Sequence, residues 1–203
     1  MRVLFFIIAF SILQFSSPMA NAMELFSDTT HYIIDTDSSK VEWACDLHNG
    51  YLLLESGELL IVDGEIIDGE FRICMESIVN LDIDYELMRI TLENTLKSIE
   101  FFNTEKYHYS SFVIDDNQNT NNESLIYGDL TFMGVTKCVN FHYDLRIKSD
   151  SLFVETEEFI IDRTDWNCNS MSINDAKSDK SFIVPNDVRI KVILVGIKSP
   201  PTK

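Results

Sequence analysis

Strict alternation of apolar and polar positions runs through much of the chain. In VNFHYDLRI, residues 139–147, Val139, Phe141, Tyr143, Leu145 and Ile147 share one face, and Asn140, His142, Asp144 and Arg146 share the other. That is the period of a half-buried antiparallel strand. DVRIKVILV, residues 187–195, repeats it with Val188, Ile190, Val192 and Leu194 facing in. LIYGDLTF, residues 125–132, puts Ile126, Gly128, Leu130 and Phe132 on one side. One segment has a different period. From Tyr85 to Ile99, the apolar residues Met88, Leu92, Leu96 and Ile99 recur at helical spacing, and Glu93 precedes Lys97 by one helical turn. This predicts a helix over 85–99, with a second short one near 174–180.

Turn signals separate the strands. Asp63-Gly64 and Asp68-Gly69 are hairpin dipeptides, because both residue types tolerate positive φ. DDNQNTNNES, residues 115–124, reads as a polar hairpin tip. Many strands joined by short turns, without repeat, linker or break in composition, predict one all-β domain built as a barrel or sandwich.

The first 22 residues read as a signal rather than as part of that domain. Arg2 precedes an apolar run from Val3 to Phe15, and Ala20-Asn21-Ala22 supplies the small-residue cleavage pattern. The run of about 13 residues falls short of the ~20 a spanning helix needs. The expectation is an exported, periplasmic or extracellular domain over residues 23–203, without stable membrane insertion. The net charge of −17 becomes more negative when Arg2 is removed, and the chain has no basic patch, which sets nucleic acid aside as a partner. Cys45, Cys74, Cys138 and Cys168 all lie in the exported part, where disulfides or free thiols are both open.

Motifs for chemistry are sparse. His31, His48, His108 and His142 have no metal-ligand spacing among themselves or with cysteine, and no phosphate-binding or nucleophile motif is present. No metal or cofactor is expected. Asp162-Arg163-Thr164-Asp165 concentrates charge, and the expectation is a structural ion pair. Glu155-Thr156-Glu157-Glu158 lacks calcium-loop spacing and reads as a solvated strand face.

The order of several phrases carries more. YIIDTDSSKVEW (32–43), HNGYLLLESGELLIVDGEIIDGEF (48–71), LKSIEFFNTEKYHYSSF (96–112), GDLTFMGVTKCVNF (128–141) and IDRTDWN (161–167) resemble, in order and spacing, the segments of the YceI-like family of exported bacterial lipid-binding proteins. The similarity covers residues 32–196. Thr95 stands where the family usually has His, His108 and Cys138 where it has Pro, Asn167 where it has Gly, and Cys74 where Asp is common. The resemblance implies an extended, antiparallel, lipocalin-like β-barrel with one or two short helices. It also implies a long apolar channel for a polyisoprenoid or similar long-chain amphiphile. The channel candidates are Leu96, Phe101, Phe102, Phe112, Leu130, Phe132, Phe141 and Trp166.

Apolar walls alone suffice for such a ligand. At about 0.3 kcal/mol per heavy atom, a ~40-carbon tail reaches roughly −12 kcal/mol, near nanomolar affinity. Two other readings compete. The first is a filled barrel serving as a non-enzymatic structural or interaction module. The second is an enzyme acting on an isoprenoid through Asp162, Arg163 or His142. Gly128 on an inward face leaves space for a ligand, whereas Phe132 and Phe141 either line a tunnel or plug it. Leu92, Leu96 and Ile99 are expected to seat the helix over one end of the barrel. Phe101 and Phe102 are then expected to continue as an extended segment, one ring in the core and the other toward the channel.

Overall fold

A computed structural model of the chain describes residues 28–120, 123–173, 175 and 183–200. The signal segment and most of the expected second helix near 174–180 lie outside the described residues. Eleven strands form one antiparallel sheet: β1 (Thr29–Ile34), β2 (Lys40–Ala44), β3 (Asn49–Val62), β4 (Glu65–Cys74), β5 (Val79–Asn80), β6 (Tyr109–Thr120), β7 (Glu123–Phe132), β8 (Val135–Lys148), β9 (Ser151–Thr156), β10 (Phe159–Asp162) and β11 (Asp187–Lys198). Helix α1 (Glu86–Lys97) lies between β5 and β6.

The sheet closes on itself. Its order runs β11-β2-β3-β4-β6-β7-β8-β9 and returns to β11 through pairs such as Leu194 with Val154. Two long strands carry two short partners each along one edge. β11 pairs with β2 through Arg189–Ile193 and with β1 through Gly196–Lys198. β3 meets β2 at 49–53 and β1 at 58–62, so β1 and β2 share one strand's place in the ring. Closure removes the exposed edges that an open sheet presents.

β8 follows the alternation in its sequence, with Phe141 and Tyr143 buried and Val139 and Leu145 half-buried; Ile147, near the strand end, is exposed. β3 is less simple. Gly50, Leu52 and Leu54 face in, but further along it is Leu59 and Ile61. The inward parity flips because Leu54 pairs with Ile73 while Ser56 pairs with Arg72, leaving Glu55 as the extra residue of a bulge. One inserted residue turns a 14-residue strand with a single alternation into two inward sets.

Asp63-Gly64 makes the two-residue hairpin turn that its sequence predicts, with φ of 52° and 87°. Asp68-Gly69 does not turn; it lies inside β4, beside a second register shift between Leu60 and Ile61. A Cβ on Gly69 would stand 2.7 Å from a Leu59 methyl and 3.0 Å from Ile114. This glycine serves close packing rather than chain reversal. Residues 115–124 do belong to a hairpin, but β6 and β7 extend further into the polar run than predicted. Asn167 adopts φ 64° and ψ 13°, so asparagine sustains the left-handed turn.

Helix α1 differs from expectation in its packing. None of its residues is fully buried; Met88 is exposed, as is Ile99 just beyond its end, and Leu92 and Leu96 are half-buried. Polar ties hold it instead. The Asn80 amide donates to Glu93 at 2.9 Å, and Lys97 reaches Glu76 at 3.8 Å, so Glu93 and Lys97 have separate partners rather than each other.

Candidate functional site

The inward faces of the strands enclose an apolar cavity of about 210 Å³. That exceeds the ~150 Å³ of an apolar cavity that stays dry and admits benzene. Its wall draws on β2, β3, β4, β6, β7, β8, β9, β10 and β11, with Leu96 of α1 and the turn after it. A row of aromatic rings crosses the interior. Phe71 lies 6.4 Å from Phe112, Phe112 5.3 Å from Phe141, and Phe141 4.5 Å from Phe159, stacked at 19°. All four line the cavity.

Seven of the eight sequence-predicted channel residues line this cavity: Leu96, Phe101, Phe102, Phe112, Leu130, Phe132 and Phe141. Trp166 does not. It is buried at 2% exposure in the short 3₁₀ turn 163–166, and its indole N–H donates to the Leu130 carbonyl at 3.1 Å. The residue therefore supports the wall from behind.

Phe101 and Phe102 do not divide between core and channel. The chain after α1 is a series of turns rather than an extended segment. The Phe101 amide bonds to the Ser98 carbonyl, that of Phe102 to Leu96, and that of Asn103 back to Ser98. Tight reversal, with Asn103 at φ 47°, brings both rings to the cavity. Phe101 is 5% exposed, while Phe102 is half-buried and meets Phe132 edge-on at 5.4 Å.

Gly128 also departs from expectation. A Cβ built there would lie 2.3 Å from the Phe112 ring and 2.5 Å from the Val113 carbonyl. The room the glycine leaves is filled by Phe112, not held open for a ligand.

Further lining residues carried weaker signals in the sequence. Leu52, Leu54, Ile73 and Ile78 belong to strands β3 and β4 or to the segment that follows. In GYLLLESGELLIV the apolar residues run together as 52–54 and 59–62, so which of them face in is set by the bulge at Glu55 rather than by the sequence pattern. Trp43, on β2, was visible only as the end of an opening strand.

The few polar side chains of the wall are mostly satisfied internally. The Ser110 hydroxyl donates to the Thr131 carbonyl at 2.7 Å, and Thr156 accepts from the Val192 amide at 2.9 Å. Arg163, 4% exposed, donates to the Val184 and Pro185 carbonyls, each at 3.0 Å, and to Cys168. The expected ion pair within 162–165 is thus replaced by a guanidinium held by backbone carbonyls. Asp162 caps the turn instead, accepting from the Thr164 amide and hydroxyl, which hold its carboxyl below the usual range. Asp165 pairs outward with Lys137 at 3.0 Å. His142 lies between Phe141 and Tyr143, on the face of β8 opposite theirs.

All four cysteines are free, and burial pushes the Cys168 thiol up despite the neighbouring Arg163. No cluster of metal-binding side chains occurs among the described residues. No helix among them is long and apolar enough to cross a membrane.

A closed antiparallel barrel around a chamber walled almost wholly by aliphatic and aromatic side chains defines a β-barrel of the lipocalin-like kind. The sequence profile of the YceI-like domain matches residues 32–195, and the chain belongs to that family. Comparison with curated proteins gives no match. Among solved structures, the chain is similar to BcnA of Burkholderia cenocepacia, at 17% identity and a TM-score of 0.65, over 80% of this chain and 98% of that one. It is also similar to a polyisoprenoid binding domain from Saccharophagus degradans implicated in plant cell wall breakdown, at 13% identity and a TM-score of 0.59, over 83% and 98%. A Campylobacter jejuni YCEI protein aligns at 18% identity with a TM-score of 0.51, over 68% and 75%.

Proposed function

We propose that this protein binds a polyisoprenoid or similar long-chain amphiphile in its barrel cavity and stores or carries it in the cell envelope, after export directed by residues 1–22. The cavity carries this reading. It is bounded by nine strands and a helix end, and nearly every side chain facing it is apolar. Each methylene that enters contributes about 0.8 kcal/mol without needing a polar partner. Membership of the YceI-like family, and likeness in fold to a polyisoprenoid binding domain, are in accord with it.

A filled barrel would have no such cavity, which disfavours the structural-module reading. The candidate catalytic groups do not converge. Asp162 and Arg163 are engaged in turn geometry, and His142 points to the other side of its strand.

The test is organic extraction of the purified mature protein followed by mass spectrometry. The expected result is a long-chain lipid near one per protein. Protein that is repeatedly recovered empty, and that takes up no added isoprenoid, would overturn the proposal.

A further inference from the structure

Helix α1 presents its apolar residues outward. At about 3.6 residues per turn, Leu87, Ile90, Thr91 and Asn94 fall on one side, and Arg89, Leu92, Glu93 and Leu96 on the other. The first side faces solvent. Leu87 is 64% exposed and Ile90 42%, with Met88 at the edge at 62%. The second side faces the barrel. Leu96 lines the cavity, Glu93 accepts from the Asn80 amide, and Arg89 is half-buried. Single exposed apolar side chains are ordinary. A helix that turns charge toward the barrel and shows leucine, isoleucine and methionine to water reverses the usual amphipathic order.

The residues flanking the helix extend this character. Tyr85 just before it and Ile99 just after it are both exposed. The outward positions carry no charge, and Lys97 is half-buried and directed to Glu76 at 3.8 Å. The exposed charges at the ends of the patch are carboxylates, Asp84, Glu86 and Glu100. In a chain of net charge −17, an apolar centre with an acidic rim is repelled by an anionic surface. It fits a surface that offers ammonium groups above an apolar layer, as phosphatidylcholine and phosphatidylethanolamine do. A second copy of the chain would set the same acidic rim against itself. The patch also adjoins the cavity, because Leu96 on this helix and Phe101 and Phe102 in the turn after it line the wall.

Resting on the lipid-binding reading above, we infer that α1 is a docking face for a zwitterionic phospholipid bilayer. Its 12 residues are far short of the ~20 that a spanning helix needs, so the helix lies on the membrane rather than across it. Docking sets the α1 end of the barrel against the bilayer, with one helix thickness, ~10 Å, between headgroups and cavity. A long-chain amphiphile then passes between membrane and cavity without crossing bulk water.

The experiment uses delipidated mature protein and measures co-flotation with phosphatidylcholine vesicles, and with vesicles that also contain phosphatidylglycerol. Binding to the first and weaker binding to the second are expected. Leu87→Ser combined with Ile90→Ser should weaken vesicle binding about tenfold or more, since two apolar side chains leave the interface. Both side chains are already exposed, so the melting temperature should stay within about 3 °C of wild type. Ile160→Ser, at a similarly exposed isoleucine on β10, should bind as wild type does. Uptake of an isoprenoid alcohol should fall in the double variant when it is offered in vesicles, and stay unchanged when it is offered from ethanol. Wild-type protein that does not float, or a double variant that floats equally well, overturns the docking face. Ile160→Ser losing as much, or tighter binding to the phosphatidylglycerol vesicles, overturns it too. A wild-type dimer that the double variant abolishes assigns the face to a second copy and likewise overturns it. In each of these cases, uptake from ethanol leaves the lipid reading standing. Failure of the wild type to take up the alcohol by either route overturns the lipid reading, and the transfer role of α1 with it.

Discussion

Replacing Gly128 with alanine tests whether the cavity's shape depends on where Phe112 is allowed to lie. The new Cβ would stand 2.3 Å from Phe112 Cζ and 2.6 Å from Cε2. Those distances are more than about 1 Å short of ordinary carbon contact. A swing of the ring end alone does not relieve the clash, because the same Cβ meets the Val113 carbonyl at 2.5 Å, and that is backbone of the neighbouring strand. The β6–β7 pairing, in which Ile114 faces Gly128, must therefore open locally. Overpacking of this kind costs about 1–3 kcal/mol. For a chain of this size that lowers the melting temperature by roughly 3–10 °C. The displaced ring has the cavity on its free side, so the lipid retained through purification should also fall. Phe112→Leu in the same background shortens the obstructing side chain. It should recover part of both losses, with a coupling of at least ~0.5 kcal/mol between the sites. Thermal melts and extracted lipid per protein, measured on the two single variants and the double, provide the data. A Gly128→Ala protein that melts within about 1 °C of wild type and keeps its lipid would refute the argument.

Phe101→Ala should cost about 3–5 kcal/mol in denaturant unfolding, as a nearly fully buried ring does. Phe102→Ala should cost less, since that ring is half-buried, yet both should reduce lipid retention because both face the cavity. Burial pushes the Asp82 carboxyl up, but hydrogen bonds from the Asn49 amide, His48 and Asn80 outweigh it and bring the group to about 2. The folded value lies below the unfolded one, so Asp82→Asn should destabilise the protein by about 1–2 kcal/mol at pH 7. Denaturant titrations should show that difference shrinking as pH falls from 4 toward 2; a constant difference would contradict it. Denatured, unreduced protein should take up four equivalents of a thiol alkylating agent, in line with four free cysteines, and a mass lower by about 2 Da per bridge would refute this.

The closed sheet was legible because alternation is a local property. β8 and β11 show which side chains face in without reference to any other strand, and Asp63-Gly64 needs only its own φ angles to turn. Glycines inside strands were not legible in the same way. Asp68-Gly69 has the composition of a turn, but its use is set by Leu59 and Ile114, which approach it from other strands. Gly128 likewise depends on Phe112 of β6. In both cases the missing side chain is matched to a ring or methyl that lies far away in sequence.

The same distinction explains the site. Phe112, Leu130, Phe132 and Phe141 line the cavity because each lies on an inward strand face, and such a face, once closed into a barrel, has nowhere to go but the interior. Trp166 was not separable from them. It is apolar and lies in a segment similar to the family's late strand and turn, yet its N–H meets the Leu130 carbonyl on the far side of the wall. Phe101 and Phe102 failed for a local reason. Two neighbouring rings diverge only if the backbone is extended, and the hydrogen bonds from 101–103 back to Leu96 and Ser98 fold it instead. The carbonyls that accept those bonds lie at the C-terminal end of α1, where the last turn of a helix leaves them unmatched. The helix that packs so little of its own apolar surface thus still shapes the cavity. Its C-terminal carbonyls hold the turn, and the turn aims both rings inward.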